Sequence, residues 1–334
     1  MQPVTMLLTD PSPCLRYLVL TELLRRPHDD PEVSELAPFR AADLLVAPLL
    51  ALQRHDGSWD GEPLATSHAL ARLACAGFAA SFEPIRRGAE FLFGCQASDG
   101  SWALTHRHGD VDTREHYSLI PLQTALPLRG LVLSGYGDDA RAERAYEWLV
   151  AQRLPDGAWP TGIAAGNYGR VAGYRRLAHS RWGCRSNTTA ALVCLAYHPT
   201  RRHGDAARRA LDLLLGRETL EQSSLGFEVA RLIGAEPTRG FLTFHARFDL
   251  ALVLELCWLV GAGTDDERIA RLVDFVVGLR GEHGLWRYRP QPQASRWVSY
   301  GLLRSLSRLQ STGDWVSLEP RTPFQAYPKR PRRF

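Results

Sequence analysis

The chain has 334 residues, a hydrophobic content of 45% and a formal net charge of +4, which suits one large globular domain or two small ones. No stretch approaches the roughly eighteen unbroken apolar residues of a membrane-spanning helix, so a transmembrane segment is excluded. The only lysine is Lys329, which excludes a Schiff base on a buried lysine.

The N-terminal residues and the cysteines bear on the cellular compartment. The short apolar run after Met1 lacks a preceding basic region, so it does not predict a signal peptide. Six cysteines are scattered along the chain without a Cys-x-x-Cys pair, and several lie in apolar helical stretches, which is typical of reduced, buried thiols. We therefore expect a cytoplasmic protein.

Two kinds of helical segment alternate along the chain, after an N-terminal helix over 14–25 that we expect to close the fold. Amphipathic segments should form an outer ring, because only one side of each is apolar. They cover 83–95, 140–151, 206–216 and 267–279. Segments that are apolar on nearly all sides should be buried as an inner ring. They cover 66–78, 115–134, 186–197, 244–260 and 295–309. No alternating pattern predicts a strand.

A repeat separates the two kinds of segment. Four turns of the form Gly-x-Trp, here named the Trp turns, occupy residues 56–59, 99–102, 156–159 and 283–286. Each follows an apolar helix, and a Gln near the helix end precedes three of them, at Gln53, Gln96 and Gln152. The Gly permits a left-handed turn, the Trp folds back on the helix and the Gln bonds the backbone there.

The repeat spacing leaves room for one further copy. The last gap between Trp residues is 127 residues, against 43 and 57 for the others. The segment 209–216, ending near Gly226, fits this place as a copy that has lost its Trp. The repeat therefore predicts about five helical pairs.

The stretch from Arg87 to Trp102 reads Arg-Gly-x-x-Phe-Leu-x-x-x-Gln-x-x-Asp-Gly-x-Trp. It resembles the QW repeat of squalene-hopene and oxidosqualene cyclases, and related repeats build the barrel of protein prenyltransferase β subunits. The resemblance covers about residues 40–310. It implies an all-α fold, an α/α barrel (toroid) of five to six helix hairpins with inner and outer rings. We expect a single domain over 1–320 and a basic tail over 321–334.

The resemblance also implies a catalytic acid. Class II cyclases protonate their substrate with an Asp-x-Asp-Asp motif just before an inner helix, and Asp110-Val111-Asp112-Thr113 lies at the matching place. Thr113 stands where the family has its last Asp. By this resemblance Asp112 is the general acid, and Asp110 and His116 set its pKa. Capping of the following helix by Asp110 or Asp112 is the alternative.

Aromatic and arginine side chains are the candidates for substrate binding. In a cyclase, aromatic rings beside the inner helices line a dry cavity and stabilise cations, although such residues are also ordinary core. An arginine-rich loop over 167–181 suits a clamp for a diphosphate, or a solvated loop. The predicted substrate-binding residues are Tyr117, Trp182, Arg185, Phe244, Phe248, Trp297 and Arg176.

A metal site is the alternative interpretation of several groups. His245 and Asp249 are four residues apart in a predicted helix, a spacing that suits metal ligation or an ion pair with a nearby arginine. Cys184 precedes a helix start, where it is either an activated or a buried structural thiol. With Asp112, these residues form the alternative ligand set for zinc or magnesium. The leading interpretation needs no cofactor, and the Asp-x-Cys of prenyltransferase β subunits is absent.

The sequence thus favours a class II-like terpene (isoprenoid) cyclase that works by Asp protonation and carbocation cyclisation in an aromatic-lined pocket. A zinc-dependent prenyltransferase-like or hydrolytic enzyme, and a non-catalytic α/α toroid that binds lipid or protein, are the alternatives. We expect a small isoprenoid as partner and no nucleic acid. The basic run over 329–333 is compatible with peripheral membrane contact or with a solvated terminus.

Overall fold

The computed structural model describes residues 2–102, 120–161, 177–216, 223–237, 244–281 and 283–309. This part of the chain is helical and contains isolated bridges but no strand. The α-helices are α1 (Gln2–Leu8), α2 (Pro13–Leu18), α3 (Pro31–Leu36), α4 (Ala47–Ala51), α5 (Pro63–Cys75), α6 (Glu83–Gly94), α7 (Pro121–Leu133), α8 (Ala140–Ala151), α9 (Arg185–Tyr197), α10 (Asp205–Leu215), α11 (Phe227–Leu232), α12 (Leu250–Val260), α13 (Glu267–Gly278) and α14 (Ser295–Leu309).

The helices form an inner and an outer ring. In the inner ring α5 packs on α7, α7 on α9, α9 on α12 and α12 on α14. Outside it, α6, α8, α10 and α13 pack on α5, α7, α9 and α12. Helix α2 continues into a π-helical turn over Val19–Leu23, which packs on α14. The predicted all-α barrel of five to six hairpins is confirmed.

Burial follows the predicted division between the rings. Helices α7, α9 and α12 bury nearly every residue, whereas the outer helices α6, α8 and α13 bury one side only. One hydrophobic core runs from Leu7 to Leu309. No helix among the described residues is long and apolar enough to cross a membrane. All six cysteines are unpaired thiols, four of them buried.

Each Trp turn joins an outer helix to the next inner helix through the same two hydrogen bonds. The indole donates to the carbonyl ten residues earlier, at Leu49 (2.7 Å), Leu92 (2.9 Å), Leu149 (2.6 Å) and Val276 (2.7 Å). The backbone N–H of the Trp donates to a hydroxyl of the inner helix that follows, on Thr66, Thr124, Thr188 and Ser299. The prediction that these four Trp residues pack at outer-helix ends is confirmed.

The glycine of each turn fits against the next outer helix. Gly100 has a φ of 90°, and a Cβ there would lie 2.4 Å from the carbonyl oxygen of Arg144 in α8. The Gln96 amide donates to the carbonyls of Gly100 and Arg141, each at 3.0 Å. Gln53 makes the equivalent pair of bonds in the first repeat. The predicted glutamine bonds thus tie the first two turns to their neighbours, whereas Gln152 makes no such side-chain bond to a described residue.

The last Trp turn meets the first hairpin. A Cβ on Gly284 would lie 2.9 Å from the ring of Pro3 in α1. Arg296 pairs with Asp10 at 3.2 Å, and Arg304 pairs with Glu22 at 3.3 Å. Helix α1 thus takes the place of a next outer helix. The prediction that an N-terminal helix closes the barrel is confirmed.

The repeat is broken between α10 and α12. Helix α10 is the outer helix predicted over 206–216, but no Trp turn follows it in the described residues. Instead α11 packs on the inner helices α5 and α14. Gly226 has a φ of 89° like the turn glycines, yet a Cβ there would meet Val298 of α14 rather than an outer helix.

One predicted helix start is wrong. Helix α12 begins at Leu250 and not at 244, because Asp249 is an extended capping residue and His245 is left-handed, with a φ of 52°. His245 and Asp249 therefore share no helix face. Helix α7 begins at Pro121, after the extended Ile120, and the predicted start at 115 lies outside the described residues.

Candidate functional site

A cavity of about 220 Å³ lies at the centre of the barrel. It is enclosed by the inner helices α5, α7, α9, α12 and α14, by α11 and by α2 with its π-helical turn. Its lining comprises Leu18, Glu22, Ala71, Ala74, Cys75, Arg129, Leu133, Val193, Tyr197, Glu228, Val229, Leu232, Leu252, Glu255, Trp297, Tyr300, Gly301 and Arg304. None of the four Trp residues of the Trp turns is among them.

A carboxylate network forms one side of this cavity. Arg304 pairs with Glu255, and its guanidinium also lies 3.3 Å from the Glu22 carboxylate. The Tyr197 hydroxyl donates to Glu255 at 2.7 Å. Burial and the Glu255 charge raise the pKa of Tyr197 well above its usual value, so this phenol remains protonated.

A second charged pair lies on another wall. The Arg129 guanidinium of α7, on a residue only 4% exposed, lies 3.7 Å from the Glu228 carboxylate of α11 and makes no hydrogen bond within the described part of the chain. Buried guanidinium groups are normally hydrogen-bonded, so Arg129 is available to a ligand or water in the cavity. Burial opposes ionisation of Glu228, but His245, Arg129 and Arg231 hold its pKa below the ordinary value. At neutral pH His245 is uncharged, so the positive charge that favours the ionised Glu228 carboxylate comes from Arg129 and Arg231.

Phe244 lies outside the cavity lining, in a buried polar cluster. Its ring is 3.8 Å from the Arg231 guanidinium and 5.5 Å from the ring of His68. Burial, with the nearby arginine charges, lowers the pKa of His68 and that of His245 to about 3. The half-buried His68 is thus neutral at physiological pH, and Phe244 is part of the hydrophobic core.

The described members of the alternative metal set do not form a metal site. The Asp249 carboxylate accepts backbone N–H groups from Gly226 at 2.8 Å and Glu228 at 2.7 Å, and it also caps α12. Burial raises its pKa to about 6 against these hydrogen bonds. Cys184 is buried at the start of α9. No three His, Cys, Asp or Glu side chains gather as metal ligands in the described residues.

A second concave region, here named the arginine groove, has a volume of about 560 Å³. It is formed by residues that begin α9 or precede α11, α12 and α14. It is lined by Arg185, Ser223, Ser224, Leu225, Ala246, Arg247, Phe248, Arg287, Tyr288, Arg289 and Pro290. Two predicted substrate-binding residues, Arg185 and Phe248, meet here, whereas Trp297 lines the central cavity.

The remaining predicted site residues lie at neither location or outside the described residues. Trp182 is 41% exposed, with the Arg181 guanidinium 5.0 Å from its ring. The structure does not describe five of the predicted residues. They are Asp110, Asp112, His116, Tyr117 and Arg176.

Sequence reasoning missed the charges of the central cavity. Arg129 and Glu255 each stand alone in an otherwise apolar inner helix, and that isolation is the signal that could have found them. A charge in such a helix must face a partner or a cavity, because burying it alone is costly. Glu228 gave no comparable signal, since its position depends on how α11 enters the barrel.

Comparison with known proteins finds similarity to two lanosterol synthases. The chain is 30% identical over 126 residues to lanosterol synthase erg7A of Aspergillus fumigatus, a match that covers 36% of this chain and 17% of that protein. It is 32% identical over 114 residues to lanosterol synthase of Candida albicans, covering 31% and 15%. The matches thus span less than a fifth of either relative. No family model matches the chain.

Comparison with solved structures finds matches at low sequence identity. A protein from Actinoplanes is 16% identical, with 89% of this chain and 90% of that chain covered and a TM-score of 0.46. The type II terpene cyclase MstE from Scytonema is 14% identical, with 78% and 95% covered and a TM-score of 0.34. The barrel assignment itself rests on the helix pairing and the Trp turns of this chain.

Proposed function

We propose that this chain, a member of the squalene/terpene cyclase superfamily, binds a short isoprenoid in its central cavity and cyclises it after protonation by Asp112. The observation that carries the proposal is the enclosed cavity between the inner helices, where apolar, aromatic and carboxylate groups meet. Enclosure excludes bulk water, which would otherwise quench a carbocation.

The size of the cavity limits the substrate. Small-molecule sites usually measure about 300–1,000 Å³. The central cavity, at about 220 Å³, is below that range. We therefore favour a short isoprenoid over a long polyene such as a triterpene precursor.

The charged side chains that line the cavity are suited to stabilising a carbocation that forms during the reaction. Three carboxylates line it, on Glu22, Glu228 and Glu255, against the two guanidinium groups of Arg129 and Arg304. Carboxylates held in place in this way stabilise a developing positive charge without reorganisation. The rings of Trp297 and Tyr300 add faces that attract cations.

The proposed acid comes from the segment before α7. Asp112 precedes Pro121, the first residue of α7, and α7 contributes Arg129 and Leu133 to the cavity. A carboxylic acid that protonates an alkene must be kept protonated by its surroundings, and Asp110 is the neighbour proposed to raise its pKa. His116 is proposed to set the pKa of Asp112 together with Asp110.

The test is turnover of a panel of C10 to C30 isoprenoids and their diphosphates, with products identified by gas chromatography and mass spectrometry. Asp112→Asn removes the acidic proton, so it should abolish cyclised product while the circular dichroism spectrum stays unchanged. Asp274→Asn, an exposed carboxylate of α13, is the matched control and should retain activity. Full activity of Asp112→Asn on an accepted substrate would overturn the mechanism.

The two alternative functions predict different results for the same purified protein. Stoichiometric zinc in purified protein, lost on substitution of Cys184 or His245, would favour the hydrolase or transferase alternative. Saturable isoprenoid binding without any turnover in wild-type protein would favour the non-catalytic toroid.

A further inference from the structure

The arginine groove concentrates positive charge. Four guanidinium groups line it, on Arg185, Arg247, Arg287 and Arg289, and no carboxylate is among its lining residues. The formal net charge of the whole chain is only +4. Charge of one sign gathered in a concavity focuses the electrostatic field and attracts oppositely charged ligands.

Two of these arginines lie on the same side of the extended backbone segment that precedes α14. Arg287 and Arg289 are exposed, whereas Trp286 and Tyr288 are buried, the alternation expected of an extended segment. The Tyr288 N–H donates to the Ser295 hydroxyl at 2.9 Å, which fixes the segment to the start of α14.

The other two arginines are held by contacts with other segments of the chain. The Arg185 guanidinium donates to the Ala246 carbonyl at 2.6 Å. The Arg247 guanidinium lies 4.3 Å from the ring centre of Phe227, a cation–π distance. Groups positioned before a ligand arrives lose less conformational entropy on binding it.

Three of these arginines have no acidic partner in the part of the chain that the structure describes. Arg247, Arg287 and Arg289 form no ion pair with a carboxylate of the described residues. On the outer surface, by contrast, Arg141 pairs with Glu90 at 2.8 Å and Arg153 with Asp205 at 2.9 Å. The like charges in the groove repel one another, and a bound anion would relieve that repulsion.

We propose that the arginine groove is a binding site for the diphosphate group of a small molecule. Guanidinium groups match phosphate oxygens through paired hydrogen bonds, and four of them suit an anion with several charges. Arg185 is the first residue of α9, and the N-terminus of that helix adds positive potential. The proposal concerns binding alone, so it stands or fails independently of the proposed cyclisation.

Isothermal titration calorimetry of the whole chain with inorganic diphosphate tests the site directly. The triple variant Arg247→Gln, Arg287→Gln, Arg289→Gln should weaken binding by about tenfold for each charge-assisted hydrogen bond that it removes. A matched triple variant at exposed arginines outside the groove, Arg25→Gln, Arg144→Gln, Arg271→Gln, has the same net charge and should bind as wild type does. No binding by wild type, or equal weakening in both variants, would overturn the site.

Two further ligands distinguish the source of the diphosphate or phosphate group. Geranyl diphosphate should bind in a groove-dependent manner and geraniol should not. Phosphatidylcholine vesicles with and without phosphatidic acid serve as the membrane comparison in a sedimentation assay. If anionic vesicles were the only ligand whose binding depended on the groove arginines, the small-molecule site would be disproved in favour of a lipid surface.

Discussion

Buried hydrogen-bond donors in the Trp turns have protein partners, whereas one at the centre of the barrel has none among the described residues. In the turns each indole and the backbone N–H beside it have a protein partner, and the pattern recurs four times. At the centre Arg129 is buried beside a single carboxylate and makes no hydrogen bond to a described residue. The indole and backbone donors of the turns are therefore paired, whereas Arg129 at the centre keeps hydrogen-bonding capacity for a ligand or water that enters the cavity.

The difference separates scaffold from site. Buried donors without partners cost free energy and are retained where they serve a ligand or a reaction. The surrounding ring must offset that cost, because the net stability of a domain is small. The comparison predicts that substitutions in the turns change stability alone, and that substitutions at the centre change both stability and ligand binding.

The largest effect is expected in the turns. Trp102→Ala removes a fully packed ring, only 2% exposed, together with its hydrogen bond to Leu92. The free energy of unfolding should fall by about 3–5 kcal/mol, the usual cost of such a truncation. Chemical denaturation followed by circular dichroism measures it.

The matched control for that experiment is Trp182→Ala, since Trp182 is exposed and belongs to no Trp turn. It should leave stability within about 0.5 kcal/mol of wild type. Equal losses in the two variants would mean that the turns do not stabilise the ring as described.

A comparable effect should follow from breaking the central pair. Arg129→Leu removes the guanidinium beside Glu228 and leaves Arg231 to offset its buried charge, so stability should fall by up to about 3–5 kcal/mol, the typical cost of breaking a buried pair. Adding Glu228→Gln removes that charge, so the double variant should recover much of the lost stability. Denaturant titrations of the two single variants and the double variant give the coupling energy.

A coupling energy near zero in that cycle would contradict the pairing across the cavity. Ligand binding provides the second measurement, because the stability-restored double variant should still bind an isoprenoid more weakly than wild type does. Trp102→Ala, at a temperature where it remains folded, should bind as wild type does.

The smallest change, measured over a single pH unit, is expected in the pH dependence of stability. The folded-state pKa of His68 is about 3, below its ordinary 6.5, so the unfolded chain binds more protons between these values. The stability contribution of neutral His68 is therefore present above pH 6.5 and is lost on acidification, by up to about 1.4 kcal/mol per pH unit. His68→Gln should reduce the slope of unfolding free energy against pH between 6.5 and 4, and His245, whose pKa is also about 3, should account for a further part of that slope.

The exposed His55→Gln is the control, and its pH dependence should match that of wild type. If His68→Gln followed the wild-type curve as well, His68 would not be the neutral group that the structure describes.

The ring could be predicted from the sequence because its determinants are local. The indole of each Trp turn bonds a residue ten positions earlier, so spacing alone carries the information. The centre depends on distant pairings: Gly226 bonds Asp249, and Arg129 meets Glu228 almost a hundred residues later. The left-handed His245, which lies where the sequence predicts a helix, has no signature in composition.

The sequence predicts which types of residue contribute to the candidate site, but not which concave region each of them lines. Arg185, Phe248 and Trp297 are predicted to contact one ligand, yet the first two line the arginine groove and Trp297 lines the central cavity. A sequence pattern can assign a residue to the start of an inner helix. It cannot tell which of two concave regions that residue enters, because that depends on how α11 packs between the helices of the barrel.

The contact between Gly284 and Pro3 changes how the repeats should unfold. In a linear repeat array each unit touches only its neighbours, so unfolding can begin at an end and spread inward. Here the first and last hairpins contact each other, and the ion pair between Arg296 and Asp10 adds to that contact. Neither hairpin is therefore a terminal unit with one exposed face. Losing one hairpin breaks two interfaces instead of one. We therefore expect the closed ring to unfold as a single cooperative body, without the partly frayed states of an open array.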